Sequence, residues 1–140
     1  KKNNSLLSRK FSIKYIGTTL SKGELMQLML AVDCYSSLFR AEGFNLPVAD
    51  AYLNKIPLVT TDAPPVNEYI IPNKNTFLVR SNKLRSSNLG EYYEPDISHA
   101  LTCFQACSNY VKENNNLESD NERTSIKLLS WKAAANKILS

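Results

Sequence analysis

Long apolar runs are missing from this 140-residue chain. None reaches the roughly 20 residues that a membrane-spanning helix needs. The first ten residues, "KKNNSLLSRK", are polar and basic and do not read as a secretory signal. The expected location is therefore cytoplasmic. Cysteine is scarce and odd in number: Cys34, Cys103 and Cys107. That count and spacing exclude a disulfide scaffold and make a reducing compartment the default. No Lys/Arg stripe is interleaved with aromatics, so nucleic acid is not an expected partner. Histidine occurs once. His99, Cys103 and Cys107 follow each other at steps of four, on one helix face. Two ligands a turn apart can reach one ion, but three stretched over two turns cannot. The alternative is a helix flank beside the apolar stripe Ile97, Leu101, Phe104 and Val111.

What is present suffices for one domain. Hydrophobic residues make up 43% of the chain, enough for a core. The net charge of +4 is uneven, because residues 1–40 hold seven basic and two acidic side chains. A basic end suits an anionic ligand such as a phosphate, and equally a solvated tail.

Residues 1–10 read as a linker or truncation edge, and residues 11–140 as the domain. "FSIKYIG" (11–17) alternates like a strand. Ser21 and Glu24 have capping-box spacing, and the apolar residues behind them predict a helix to about residue 32. "CYSSL" (34–38) reads as a strand, residues 42–45 as a turn, and 47–54 as a helix with Pro47 at its first position. "IPLVTT" (56–61) is almost continuously apolar and β-branched, the pattern of a buried parallel strand. "DAPP" turns into a short helix at roughly 65–70, and "TFLV" (76–79) is the next strand. Residues 80–93 read as a long polar loop. A clear helix covers 96–112, a charged connector follows, and a last helix spans 124–138 with Trp131 docking on the body. Regular alternation from 12 to 79 predicts right-handed β-α-β crossovers in an open, Rossmann-like parallel sheet with helices on both faces. Such α/β folds bind ligands at the carboxyl ends of their strands. The turns at 39–46 and 62–65 both lie there.

The stretch "FRAEGFNLPVADA" (39–51) sits at that edge. If Pro47 opens a helix, the N–H groups of residues 46–49 and the helix dipole form a phosphate site over the Gly43 turn. Gly43 permits close approach of the backbone. Glu42 beside the site would accept from sugar hydroxyls or stabilise a cationic transition state, and Asp50 would accept from a ribose diol. The competing explanation is that both carboxylates serve the helix dipole from its first turn.

The segment "DCYSSLFRAEGFNLPVADAYLNKIPLVTTDAPPVNEYI" resembles the C-terminal, donor-binding domain of the group 1 (family 4) retaining glycosyltransferases of GT-B fold. Their hallmark, E-G-F-G-L-x-x-x-E, reads here Glu42-Gly43-Phe44-Asn45-Leu46-Pro47-Val48-Ala49-Asp50. Ser37-Leu38-Phe39-Arg40 is similar to the S-L-H-R of one branch. Pro57 to Thr61, Glu68-Tyr69-Ile70, Phe77-Leu78-Val79, "EPDISHAL" and Ser130-Trp131 match later segments in order. Asp50 is one methylene shorter than the family's second Glu. Asn45 replaces a Gly, though Asn tolerates the left-handed conformation. Phe39 replaces the His.

The resemblance implies a nucleotide-diphosphate sugar as donor substrate, no further cofactor and no metal; no Asp-x-Asp pair is present. It makes Glu42 the catalytic-site carboxylate near the transferred sugar. Arg40, Gly43, Phe44, Asn45, Leu46, Asp50 and Thr61 would bind the donor, with Asp50 on the ribose. A glycan, lipid or protein acceptor would be bound by an N-terminal domain lying outside this chain. The family's first strand, with its diphosphate-binding Arg and Lys, lies outside it too, so the chain alone is expected to be inactive. The alternative is a non-catalytic nucleotide-sugar-binding module.

Overall fold

The computed structural model describes residues 12–88 and 90–114. Ser21 and Glu24 form the expected reciprocal cap: the Glu24 amide donates to Ser21 Oγ, and the Ser21 amide donates to Glu24 Oε2 at 2.8 Å. Helix α1 (Lys22–Leu30) follows, and Met29 is its one fully buried residue. Strand β1 (Tyr35–Ser37), helix α2 (Leu46–Leu53), strand β2 (Leu58–Thr61), helix α3 (Val66–Tyr69) and strand β3 (Thr76–Val79) then alternate as their patterns require. Both strand pairs are parallel, in the order β1-β2-β3.

β2 is buried at all four positions. Neighbouring side chains on a strand face opposite ways. Accordingly, Leu58 joins Val48, Ala51, Tyr52, Val66 and Ile70 in one core, under α2 and α3. Val59 joins Val79, Ala100, Cys103 and Cys107 in another, under helix α4 (Ile97–Asn114). Helices therefore cover both faces of a three-stranded parallel α/β sheet. Thr60 and Thr61 are buried within β2, and each hydroxyl donates to a carbonyl of the β1 segment, Ser37 O at 3.0 Å and Phe39 O at 2.9 Å.

α2 ends in a Schellman arrangement, with Ile56 N–H on Ala51 O and Lys55 N–H on Tyr52 O. Lys55 takes the left-handed position at φ 65°.

Three expectations fail. Residues 12–17 form no strand. Ile13 and Tyr15 are 83% and 89% exposed, and alternation alone cannot make a strand whose backbone has no partner. Residues 80–93 are not a loop. Strands β4 (Ser81–Ser86) and β5 (Gly90–Pro95) form an antiparallel hairpin, with Gly90 at φ 71° where the turn re-enters the ladder. Its burial does not alternate, because both faces of most of its length meet water, and so its sequence carries no period-2 apolar signal.

The third concerns α4. Ile97, Leu101 and Phe104 point outward, 63%, 67% and 39% exposed, while Ala100, Cys103 and Cys107 pack on the sheet. Small side chains allow the helix to lie close over β2 and β3, and bulkier residues at the same positions would hold it off.

All three cysteines are unbridged. Among the described residues no His/Cys/Asp/Glu group could hold a metal ion, and no helix is long and apolar enough to cross a membrane. The last helix, Trp131 and the charged connector beyond residue 114 lie outside the described residues.

Candidate functional site

Ser37, Thr61 and Val79 end the three parallel strands at one edge. Three segments rise there: the turn after β1, the turn after β2, and the β4–β5 hairpin, which begins two residues beyond β3. The first and third enclose an open pocket of about 640 Å³, lined by residues 38–42 on one side and by Glu94, Pro95 and Ile97 on the other.

The turn after β1 is anchored from four directions. Thr61 holds the Phe39 carbonyl. The Tyr93 amide of β5 donates to Arg40 O at 2.7 Å. Asn45 Nδ2 donates to Ser37 Oγ at 3.2 Å. The Tyr69 hydroxyl lies 3.1 Å from Phe44 O and 3.4 Å from Asn45 O, and its ring stacks on Phe44 at a centroid distance of 4.9 Å. Burial first, and then the charge of Glu42, push the Tyr69 phenol up to about 12. The same two causes raise Tyr35. Glu42 therefore lies within electrostatic reach of two phenols, at an exposed position on the pocket wall.

The helix behind the turn starts differently from its sequence expectation. Asn45 is the cap residue, in the left-handed region at φ 62°, and its side chain makes no capping bond. Asn is one of the few residues that adopts this conformation readily. Pro47 is the second helical residue, not the first. The anion site over residues 46–49 is correspondingly smaller than expected. Pro47 has no N–H, and Val48 and Ala49 both donate to Asn45 O. Of the three N–H groups that remain, only that of Leu46 lies outside those bonds.

Asp50 is the fifth residue of α2, half-buried, and no acidic residue occupies the first turn. Glu42 precedes the cap by three positions. Dipole stabilisation fades beyond the first turn, so helix capping does not account for either carboxylate.

The remaining sequence-predicted residues separate into three groups. Arg40 lines the pocket but is already paired: its Nε and Nη2 meet the Glu94 carboxylate at 2.6 and 2.8 Å, and this raises the guanidinium further. Gly43, Phe44 and Leu46 are exposed on the turn. A Cβ built on Gly43 would meet nothing within 4 Å, and Gly43 is not left-handed, so neither packing nor backbone conformation requires glycine there. Thr61 is fully buried, and its hydroxyl acts on the turn only through Phe39 O. Phe39 itself is buried in the core under α2.

Two participants were not assigned a role from the sequence. Tyr69 reaches the turn from 25 residues away, and Glu94 reaches Arg40 from 54. No local pattern signals either contact.

His99 and Cys103 face this edge from α4. His99 Nδ1 accepts from the Arg80 amide at 3.0 Å, which commits one ring nitrogen to the start of the hairpin. Asp96 Oδ1 accepts from the His99 amide and so caps α4, and that bond holds the Asp96 carboxyl below its ordinary range.

Compared with known proteins, the chain matches no protein-family model, no curated protein and no solved structure.

Proposed function

We propose that this chain is the donor-binding part of a retaining glycosyltransferase, a Rossmann-like half of a GT-B enzyme that takes a nucleotide-diphosphate sugar. The observation that carries the reading is the pair of carboxylates around the start of α2, neither in a capping position, with an unencumbered glycine between them. A carboxylate, an open backbone turn and a second carboxylate suit a sugar ring, a diphosphate and a ribose in that order. In this reading Glu42 faces the transferred sugar. The backbone of Gly43, Phe44, Asn45 and Leu46 runs beside the diphosphate, and Asp50 accepts from the ribose hydroxyls. Transfer then depends on positioning and on stabilising an oxocarbenium-like centre as the diphosphate departs. The acceptor is a glycan, lipid or protein held by a further domain.

One observation favours a second reading, a module that binds a nucleotide-sugar without transferring it. Arg40, the cation beside Glu42 on the pocket wall, is engaged by Glu94 through two nitrogens. A guanidinium so neutralised offers less to a departing diphosphate.

Calorimetric titration with UDP, GDP, ADP and their hexose conjugates tests the site. One nucleotide-diphosphate should bind, and one sugar should tighten it. Glu42→Ala should remove the sugar's increment. Gly43→Ala should weaken binding while leaving the melting temperature unchanged or slightly higher, since the new Cβ meets open space and restricts the unfolded chain. Silence across the panel, in this chain and in any longer chain containing it, sinks both readings. Binding without donor hydrolysis or transfer in such a longer chain selects the second.

A further inference from the structure

Neighbouring residues on a strand face opposite ways. Tyr35, the first residue of β1, packs against the core under α2 and α3. Cys34, one position earlier, therefore faces α4, and it packs against the cluster that contains Val59 and Cys107. On α4 the buried strip runs through Ala100, Cys103 and Cys107, at the steps of three and four that keep one side of a helix on the sheet. Cys103 Sγ lies 3.8 Å from Leu78 O and 3.8 Å from His99 Nδ1. One turn further along, the Cys107 thiol is hydrogen-bonded to that of Cys34. The fold thus joins two thiols that stand 73 positions apart in the sequence.

The partners are unequal. Cys107 is 2% exposed, whereas Cys34 is half-buried. The Cys34 thiol donates to Tyr35 O at 3.4 Å, which leaves its sulfur to accept from Cys107. Burial raises both thiols. Their hydrogen bond works against the rise at Cys34 and adds to it at Cys107, which is pushed up to about 12. Cys34 is the thiol that a small reagent meets first and that ionises more readily. Neither cysteine lines the pocket.

We propose that Cys34 and Cys107 are a redox modification site, a dithiol that closes reversibly to a disulfide and fastens α4 to the start of β1. The oxidant is a low-molecular-weight disulfide. The Cys34 thiolate attacks one of its sulfurs, forms a mixed disulfide and expels one thiolate. Cys107 loses its proton, attacks the Cys34 sulfur and expels the second thiolate. The two cysteine protons end on the two expelled thiolates, and two electrons pass to the oxidant. In a reducing compartment the pair stays open, and an oxidising one closes it. The bridge ties together the elements that carry the opposing pocket walls, at their ends remote from the pocket. β1 runs into residues 38–42, and α4 starts at Ile97. So long a closed loop also removes many conformations from the unfolded chain. This inference is independent of the donor reading.

The test is incubation of the full 140-residue chain to equilibrium in buffers of reduced and oxidised glutathione. Toward the oxidised end the monomer should fall from three titratable thiols to one. Proteolytic mapping should recover the Cys34 and Cys107 peptides linked, and dithiothreitol should separate them. The bridged form should melt about 5–15 °C higher than the reduced form. Cys34→Ser should keep both of its remaining thiols, and Cys103→Ala should still form the bridge. Four outcomes overturn the proposal. They are three free thiols in the most oxidising buffer, a glutathione adduct at Cys34 that no internal bridge replaces, a bridge that includes Cys103 or links two chains, and a bridged form that melts below the reduced one. The last would mean that the pair closes only after α4 has left the sheet.

Discussion

The turn after β1 and the β4–β5 hairpin rise from the same edge of the sheet, yet they are held in different ways. The turn is short and irregular, and buried side chains fix its backbone. Thr61 holds one of its carbonyls, Tyr69 reaches two, and Asn45 ties back to the Ser37 hydroxyl. The hairpin is regular, and its own ladder holds it. Ser81 anchors its base, donating to Asp62 O at 2.7 Å, but farther along its side-chain ties are the exposed ion pairs Arg40–Glu94 and Lys83–Glu91. Polar bonds made inside a protein are costly to break, and surface pairs contribute little. The turn is therefore the fixed wall of the pocket and the hairpin the adjustable one. Of the two walls, the turn is the one that carries Glu42.

Thr61→Val should break this contrast most severely. The substitution keeps the shape and strands the buried Phe39 carbonyl, at a cost of about 1–3 kcal/mol in chemical denaturation. An unchanged midpoint would mean that the bond contributes nothing net.

Asn45→Ala should cost about 1–2 kcal/mol, because alanine resists the left-handed conformation, here at φ 62°. Asn45→Gly should recover most of that loss. Equal losses in the two variants would assign the effect to the Ser37 bond instead.

Tyr69 gives a pH test. Its folded value is raised to about 12 from an ordinary value near 10. The folded state therefore holds the phenolic proton more tightly than the unfolded state does. Its contribution is complete below pH 10 and is lost as the pH rises through 12. Thermal unfolding across that window should show a downward slope that Tyr69→Phe reduces. Cys107, also raised to about 12 by burial, supplies a background slope that survives the substitution.

The smallest effect belongs to the hairpin. Glu94→Gln should leave the melting temperature almost unchanged while releasing Arg40. Nucleotide-diphosphate affinity should then rise modestly and become more sensitive to salt. A large stability loss would show that the hairpin is as firmly fixed as the turn.

The alternation between residues 34 and 79 was legible in the sequence because it depends on local period. The capping box of α1, the buried run of β2 and the turn before α2 each follow from residues that are neighbours in the chain. The position of Glu42 at the carboxyl edge follows from that alternation. The exact start of α2 was not legible, because the left-handed state of Asn45 moves the first helical turn by one residue. As a result Asp50 falls beyond the dipole and two expected amides are already bonded.

By itself the sequence determined that this chain builds a parallel α/β layer with an acidic, glycine-containing turn at the carboxyl edge of its strands. Only the tertiary structure decided that residues 81–95 pair as a hairpin, that residues 12–17 find no strand partner, and that α4 buries its cysteines and turns Leu101 outward. Tertiary structure also decided that Tyr69 locks the turn and that Glu94 occupies Arg40. Apart from the hairpin, whose strands are neighbours in the chain, these outcomes turn on whether the fold brings up a partner from many residues away. The free energy of such a contact depends on what the rest of the fold has already brought within reach, and no window of neighbouring residues contains that information.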